Sequence, residues 1–417
     1  MVAAVYWATP TVDKAFGIYI RRVSVPSASV AQFMRSAIIA LSKDWDDDPT
    51  SNHHVLRELA RTRRVLWLNS VAARSPDLSS TRDVRRAARK LREFVRGPVN
   101  VVDDLWLFTP LVVPFPHLAP VRWLNARIVR ATVRALRARL RIGAFQLWTF
   151  LPNAAPYLAM RGQTLSVYYC VDEHALFSTL DRDRTAAAER ELLERVDLVF
   201  ATSESLAERK RAINPQTHVA LHGVDHARFA RALDPATAVP DDVAGMPHPL
   251  LGFYGALADW VDVDLVAELA RLRPDWSIVL IGDPQSDTGA VAGLPNVHLL
   301  GRRRNDELPA YCKAFDVGLI PYRSSPQLPF RNPIKLREYL AAGLPVVSTP
   351  IPDVRRYEPW CSIAETAPGF VESVEAAVHR DSPALREERS RAMMAETWSA
   401  RVAEIDRALT QRQEEDR

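Results

Sequence analysis

Along most of the chain, short apolar runs alternate with longer stretches whose apolar positions recur at helical spacing. The runs 38–41, 65–68, 99–102, 145–149, 165–169, 198–201 and 218–221 read as buried strands. Helices are expected from about Asn52, over 82–92 and over 122–141. Pro, Asp and Gly gather over 235–249, which reads as a linker. The alternation then restarts, with strands at 250–254, 277–281, 296–300 and 317–320 and helices at 261–272 and 307–315. Strands that alternate with helices build parallel sheets covered on both faces. The pattern therefore predicts an α/β chain of two doubly wound, Rossmann-like halves. Residues 1–35 carry no period and read as an extension. The first domain is expected over 36–234, the linker over 235–249, the second domain over 250–383 and a charged helix over 384–417.

The densest chemistry lies in residues 332–349. Asn332 and Pro333 fit an N-cap followed by Pro at the first helical position. Leu336, Tyr339 and Leu340 form one apolar face, Gly343 sits where the helix should end, and 344–347 reads as a buried parallel strand. Lys335 and Glu338, three residues apart, share another face near the first turn. Free N–H groups and the helix dipole draw anions to such a terminus. A lysine there suits a phosphate, and a carboxylate one turn on can accept from ribose hydroxyls. The spacing fits a nucleotide diphosphate.

This segment resembles the donor-site signature of GT-B glycosyltransferases, the family-4-like group that includes teichuronic-acid- and capsule-type bacterial polysaccharide enzymes. That resemblance implies two Rossmann-like domains facing each other across a cleft, with the last helix returning to the first domain. It implies that Glu338 contacts the ribose. Other pieces follow in the same order: His222 to Phe229 resembles the crossing into the second domain, and Gly255 stands where a glycine turn faces the diphosphate. The nucleotide-sugar set is thus Gly255, Arg302, Tyr322, Asn332, Lys335 and Glu338, with Arg303 beside it. Two departures stand out. Retaining members carry a second acid at the position of Phe330, and no cation follows Gly255. Retention of configuration therefore does not follow, and Lys335, Arg302 or Arg323 must offset the diphosphate charge. The implied activity moves a sugar from a UDP- or GDP-type donor to a lipid-linked or glycan acceptor. A nucleotide-sugar 2-epimerase of the same fold, or an inactive nucleotide-binding partner subunit, are the alternatives.

Asp172 and His174 follow a first-domain strand, at its carboxyl end. An inverting transfer needs one base for the acceptor hydroxyl, and either residue offers it; His53 and His54 are rivals. The Asp-x-Asp triplets at 44–46, 181–183 and 262–264 read as loop and helix-cap carboxylates. No metal and no other cofactor is expected.

Charge changes the picture in one place. No Asp or Glu occurs between Leu105 and Val171, where Arg recurs eight times. The helix over 122–141 is either core-packed or an interfacial element on anionic lipid. No nucleic-acid motif is present, and no G-x-G-x-x-G. Three cysteines without paired spacing, no apolar run of spanning length and no signal-peptide core predict a cytoplasmic chain that can sit peripherally on the inner face of the membrane.

Overall fold

In the computed structural model, residues 36–47, 49–69, 81–114 and 118–415 are described. The expected extension over 1–35 lies outside them. Successive side chains of a strand point to opposite faces, and β1 (Ala37–Leu41) uses both. Ile38 and Ala40 join one apolar cluster, while Ile39 and Leu41 join another. This burial on both faces explains why the run reads as continuously apolar. Around it the first domain runs α1 (Ser51–Ala60), β2 (Val65–Leu68), α2 (Thr81–Arg96), β3 (Val99–Val102), β4 (Leu105–Phe108), α3 (Ala119–Arg139), β5 (Phe145–Thr149), β6 (Gln163–Cys170), α4 (Arg182–Leu193), β7 (Leu198–Ala201), α5 (Glu204–Arg211) and β8 (Thr217–Val219). The sheet order is β3-β4-β2-β1-β5-β6-β7-β8, parallel except for β3. The pattern missed β4, because only Asp103 and Asp104 separate it from β3. Asp103 turns the hairpin at φ 47°.

The second sheet has the order β11-β10-β9-β12-β13-β14, all parallel. After α6 (His226–Phe229) come β9 (Leu250–Tyr254), α7 (Val263–Leu272), β10 (Ser277–Ile281), β11 (Val297–Gly301), α8 (Leu308–Ala314), β12 (Val317–Ile320), α9 (Ile334–Ala341), β13 (Val346–Ser348), β14 (Cys361–Ile363) and α10 (Ala367–Arg380). Gly252 in β9 lets the Phe315 ring cross the strand, since an added Cβ would lie 2.0 Å from it. Two sheets, each wrapped by helices and apposed at their carboxyl ends, constitute the GT-B architecture.

The chain's last stretch is two helices rather than the single one expected. α11 (Pro383–Ala392) stays with the second domain, where Arg389 and Ser390 donate to the carbonyls of Gly343 and Ala341. The turn Met393–Glu396 ends it, and α12 (Trp398–Glu415) packs on the first domain. Trp398, Val402, Ile405 and Leu409 join α1 over one face of the first sheet. Each such buried side chain contributes about 1.5–3 kcal/mol. The two crossings between domains run side by side: the Val224 N–H donates to Glu396 O at 2.9 Å and the Trp398 N–H to Val224 O at 3.3 Å. The stretch read as a linker is partly core, because Val243 is buried among second-domain residues.

Candidate donor site between the domains

α9 starts at the carboxyl edge of the second sheet and aims its first turn at the opposite domain. The residue before it is Pro333, whose side chain makes no cap. Asn332 is therefore not the N-cap. Its Nδ2 donates to Thr202 O of the first domain at 2.7 Å, and its Oδ1 accepts from Arg337 at 2.7 Å. It sits in the domain seam and is not among the residues that line the cavity. The neighbouring strand is β13, Val346–Ser348, two residues later than expected.

Lys335 and Glu338 do share one face, as their spacing requires. Both line a cavity of about 720 Å³ with Gly255, Asp283, Arg302, Asn305 and, from the first domain, Pro49 and Thr50. The Lys335 ammonium donates to the Tyr322 hydroxyl at 2.7 Å and lies 5.1 Å from the Phe253 ring centroid. Tyr322 thus supports Lys335 and does not line the cavity itself. Gly255 has φ 130°, and an added Cβ would lie 3.4 Å from Lys335 Nζ. Its backbone therefore stands open to an anion beside that ammonium. Arg303 lines the cavity, yet its guanidinium is committed to Asp242, Tyr311 and the Leu300 carbonyl. Arg323 pairs with Asp264 and faces Asp262, so it belongs to the α7 cap.

Sequence reasoning missed Tyr254 and Arg228 at Glu338. The Tyr254 hydroxyl donates to its carboxylate at 2.9 Å. Burial pushes the Glu338 carboxyl up to about 7, while Tyr254, Lys335 and Arg228 pull it back down. Tyr254 directly precedes Gly255, so its place was legible, but nothing in a strand pattern tells which residue meets a helix carboxylate.

Across the cleft, Asp172 follows β6 as expected. Its carboxylate is about a quarter exposed and lies 3.6 Å from Arg331 of the second domain. His174 is placed less favourably for proton transfer: its Nδ1 is buried without a partner and burial lowers its pKa. Glu173 is structural, since Lys210 bridges it to Glu189 at 2.9 and 2.7 Å. Cys170, His174 and Glu189 have a ligand-like grouping. Both Glu189 oxygens are nevertheless engaged, one by Lys210 and one by Tyr168. His53 is buried between the Thr50 N–H and Trp45 O. His54 stacks on Trp398 at 4.7 Å, and burial with nearby Arg228 lowers its pKa to about 3. Neither rival histidine faces the donor cavity. Asp181 and Asp262 are helix caps, and Asp44 lies within 4.0 Å of Arg89 and Lys90.

Phe330 packs against the first-domain core and lies under Arg209, 5.4 Å from its guanidinium, while its carbonyl accepts from Ser203. The position that carries an acid in retaining enzymes is thus an apolar anchor between domains.

This geometry defines a two-domain protein of the GT-B fold with a cavity between its halves lined by Lys335, Glu338 and Gly255. Residues 248–378 match the family model described as glycosyl transferases group 1. The chain is 28% identical over 230 residues to the putative teichuronic acid biosynthesis glycosyltransferase TuaH of Bacillus subtilis, covering 51% of this chain and 57% of that protein. The chain thus spans little more than half the length of this curated relative. Among solved structures, Anabaena HepE in complex with UDP and glucose superposes with a TM-score of 0.59 at 14% identity, covering 89% of this chain and 99% of that one. The E. coli trehalose-6-phosphate structure bound with UDP-2-fluoro glucose gives 0.61 at 12% identity, covering 90% and 99%. At such identities the likeness establishes the fold.

Proposed function

We propose that this chain is a glycosyltransferase that moves a sugar from a UDP- or GDP-type donor to a hydroxyl of a surface-polysaccharide or lipid-linked acceptor. The observation that carries this is the cavity where Lys335, Gly255 and Glu338 meet. The diphosphate lies between the Gly255 turn and Lys335, and the ribose hydroxyls donate to Glu338. UDP in the HepE structure and the TuaH likeness support the same reading.

Asp172 accepts the proton of the acceptor hydroxyl as that oxygen bonds to the anomeric carbon. The bond from that carbon to the phosphate oxygen breaks, and the nucleoside diphosphate leaves. Lys335 and the first N–H groups of α9 stabilise the negative charge that develops on it. Fixed cations can do for the leaving group what a metal does elsewhere, so turnover proceeds without a divalent ion. With Phe330 in place of an acid, the product has inverted configuration.

The test is transfer from UDP- and GDP-sugars to lipid-linked and glycan acceptors, with the product anomer read from proton couplings. Transfer unaffected by chelator, an inverted product and a hundredfold or greater loss of kcat in Asp172→Asn are expected, since general bases contribute 10²–10⁴. A retained anomer removes Asp172 from the mechanism, and a strict metal requirement removes the leaving-group assignment.

A further inference from the structure

We propose that Tyr254 is a positioning residue for the nucleotide ribose: its hydroxyl holds one oxygen of Glu338 and leaves the other facing the ribose diol. This rests on the donor-site reading above and adds a residue and a pH response to it.

The geometry is specific. Tyr254 is the last residue of β9, and Glu338 lies one turn into α9. Their 2.9 Å hydrogen bond joins strand to helix at the corner where Gly255 turns. The Tyr254 ring cannot swing away. It stacks on Phe229 at 6.3 Å and meets Tyr339 edge-on at 4.9 Å. Its backbone N–H donates to the Tyr339 hydroxyl, which in turn donates to Gly252 O at 3.2 Å. Burial pushes the Tyr254 phenol well up, so it stays protonated and only donates to a carboxylate. A single donor on Oε2 leaves Oε1 to accept from the ligand.

The same corner governs charge. Glu338 faces Tyr254 from β9, Lys335 and Tyr339 from its own helix, Arg228 and Asp225 from the α6 turn, and Cys312 from α8. Cys312 is buried with its thiol pushed well up, so it stays neutral. Asp225 is paired with Arg228 at 3.0 Å, and Arg228 also contacts Asn305 of the cavity wall. Burial works against the ionised form and places the carboxyl at about 7, with the Tyr254 bond the first of the opposing effects. Charge-assisted hydrogen bonds are roughly twice as strong as neutral ones. Ribose binding therefore weakens as pH falls through about 7 and Glu338 takes up a proton. Without the Tyr254 hydroxyl, that loss begins at higher pH.

The experiment is calorimetric titration of the full chain with UDP and with GDP from pH 5.5 to 8.5. Wild type, Tyr254→Phe and Glu338→Gln are compared, each variant checked for a melting transition no lower than wild type. In wild type the affinity is expected to be level above about pH 8 and to fall below neutrality by up to about tenfold per pH unit. In Tyr254→Phe the midpoint moves up by about half a unit or more, a roughly threefold or greater loss at fixed acidic pH. Glu338→Gln binds weakly and without this limb. A limb that persists in Glu338→Gln belongs to the nucleotide's terminal phosphate or another group and overturns the proposal. So does a Tyr254→Phe limb that coincides with wild type, or a loss of equal size at every pH. Binding of neither nucleotide by wild type at any pH overturns the donor-site reading itself, whereas binding without a limb overturns this inference alone.

Discussion

Lys335 shows how much one side chain can carry when its surroundings leave it little choice. Its ammonium lies against Phe253 and Tyr322, donates to the Tyr322 hydroxyl and stands beside Gly255. Lys335→Ala should weaken UDP or GDP binding by about 1.5–3 kcal/mol, the worth of a charge-assisted contact. That is roughly ten- to hundredfold in Kd. Calorimetry checks it, and an unchanged Kd removes Lys335 from the diphosphate site. Glu338→Gln should also weaken binding, with the melting transition unmoved or raised, because burial disfavours its charge in the folded protein. Phe330 is the counter-example at this scale. Its identity alone said that no second acid is present; only its packing showed that the position serves the seam between domains.

At the level of elements, α9 is more than the carrier of two site residues. Arg337 on its other face is fully buried and donates to Asn332 and to Glu396, which also receives Arg401 and Tyr357. Through Asn332 the helix start is tied to Thr202 of the first domain, and through Glu396 to the turn before α12. Breaking a buried pair typically costs about 3–5 kcal/mol. Glu396 keeps two donors, so Arg337→Met should fall near the lower end of that range. Denaturant unfolding should register that loss, and nucleotide affinity should fall with it as the start of α9 loosens. If stability falls while affinity is unchanged, the helix start is held by other contacts. No sequence period distinguishes Arg337 from a solvated arginine, since its ionic partner Glu396 lies 59 residues away.

For the whole molecule, one side of the arginine-rich helix is core-packed, the first of its two expected alternatives. Ala126, Val129, Val133 and Leu136 of α3 are core. Its other side exposes Trp123 at 59% and Leu124 at 41%, with Leu118 just ahead at 48%. Arg127 covers Trp123 at 4.1 Å. Arg130 is spent on the Pro156 and Leu158 carbonyls, and Arg137 on Arg161, Gly143 and Ile142. We propose that the remaining exposed face rests on anionic lipid and brings the enzyme to a lipid-linked acceptor. No helix among the described residues is long and apolar enough to cross a membrane. Each arginine near the surface should contribute on the order of 1 kcal/mol, screened by salt. Sedimentation with anionic vesicles should be strong at low salt and weak at high salt, absent on neutral vesicles, and reduced in Trp123→Ser with Arg122→Ser. Salt-independent or equal partitioning on both vesicle types would sink the proposal.

Most of the strand order, the doubly wound character of both halves and the shared face of Lys335 and Glu338 were legible in the chain. Each follows from local period, and local period is a property of sequence alone. The tight Asp103–Asp104 hairpin and the break between α11 and α12 were not, because short turns leave little periodic trace. What only the tertiary structure decided is partnership across distance. Asn332 reads as a cap by its neighbours but is captured by Thr202, 130 residues earlier. Tyr254 reads as one more apolar strand residue but meets Glu338, 84 residues on. A buried polar atom must find its partner wherever the fold places one, and that placement is set by the packing of two domains rather than by the residues beside it.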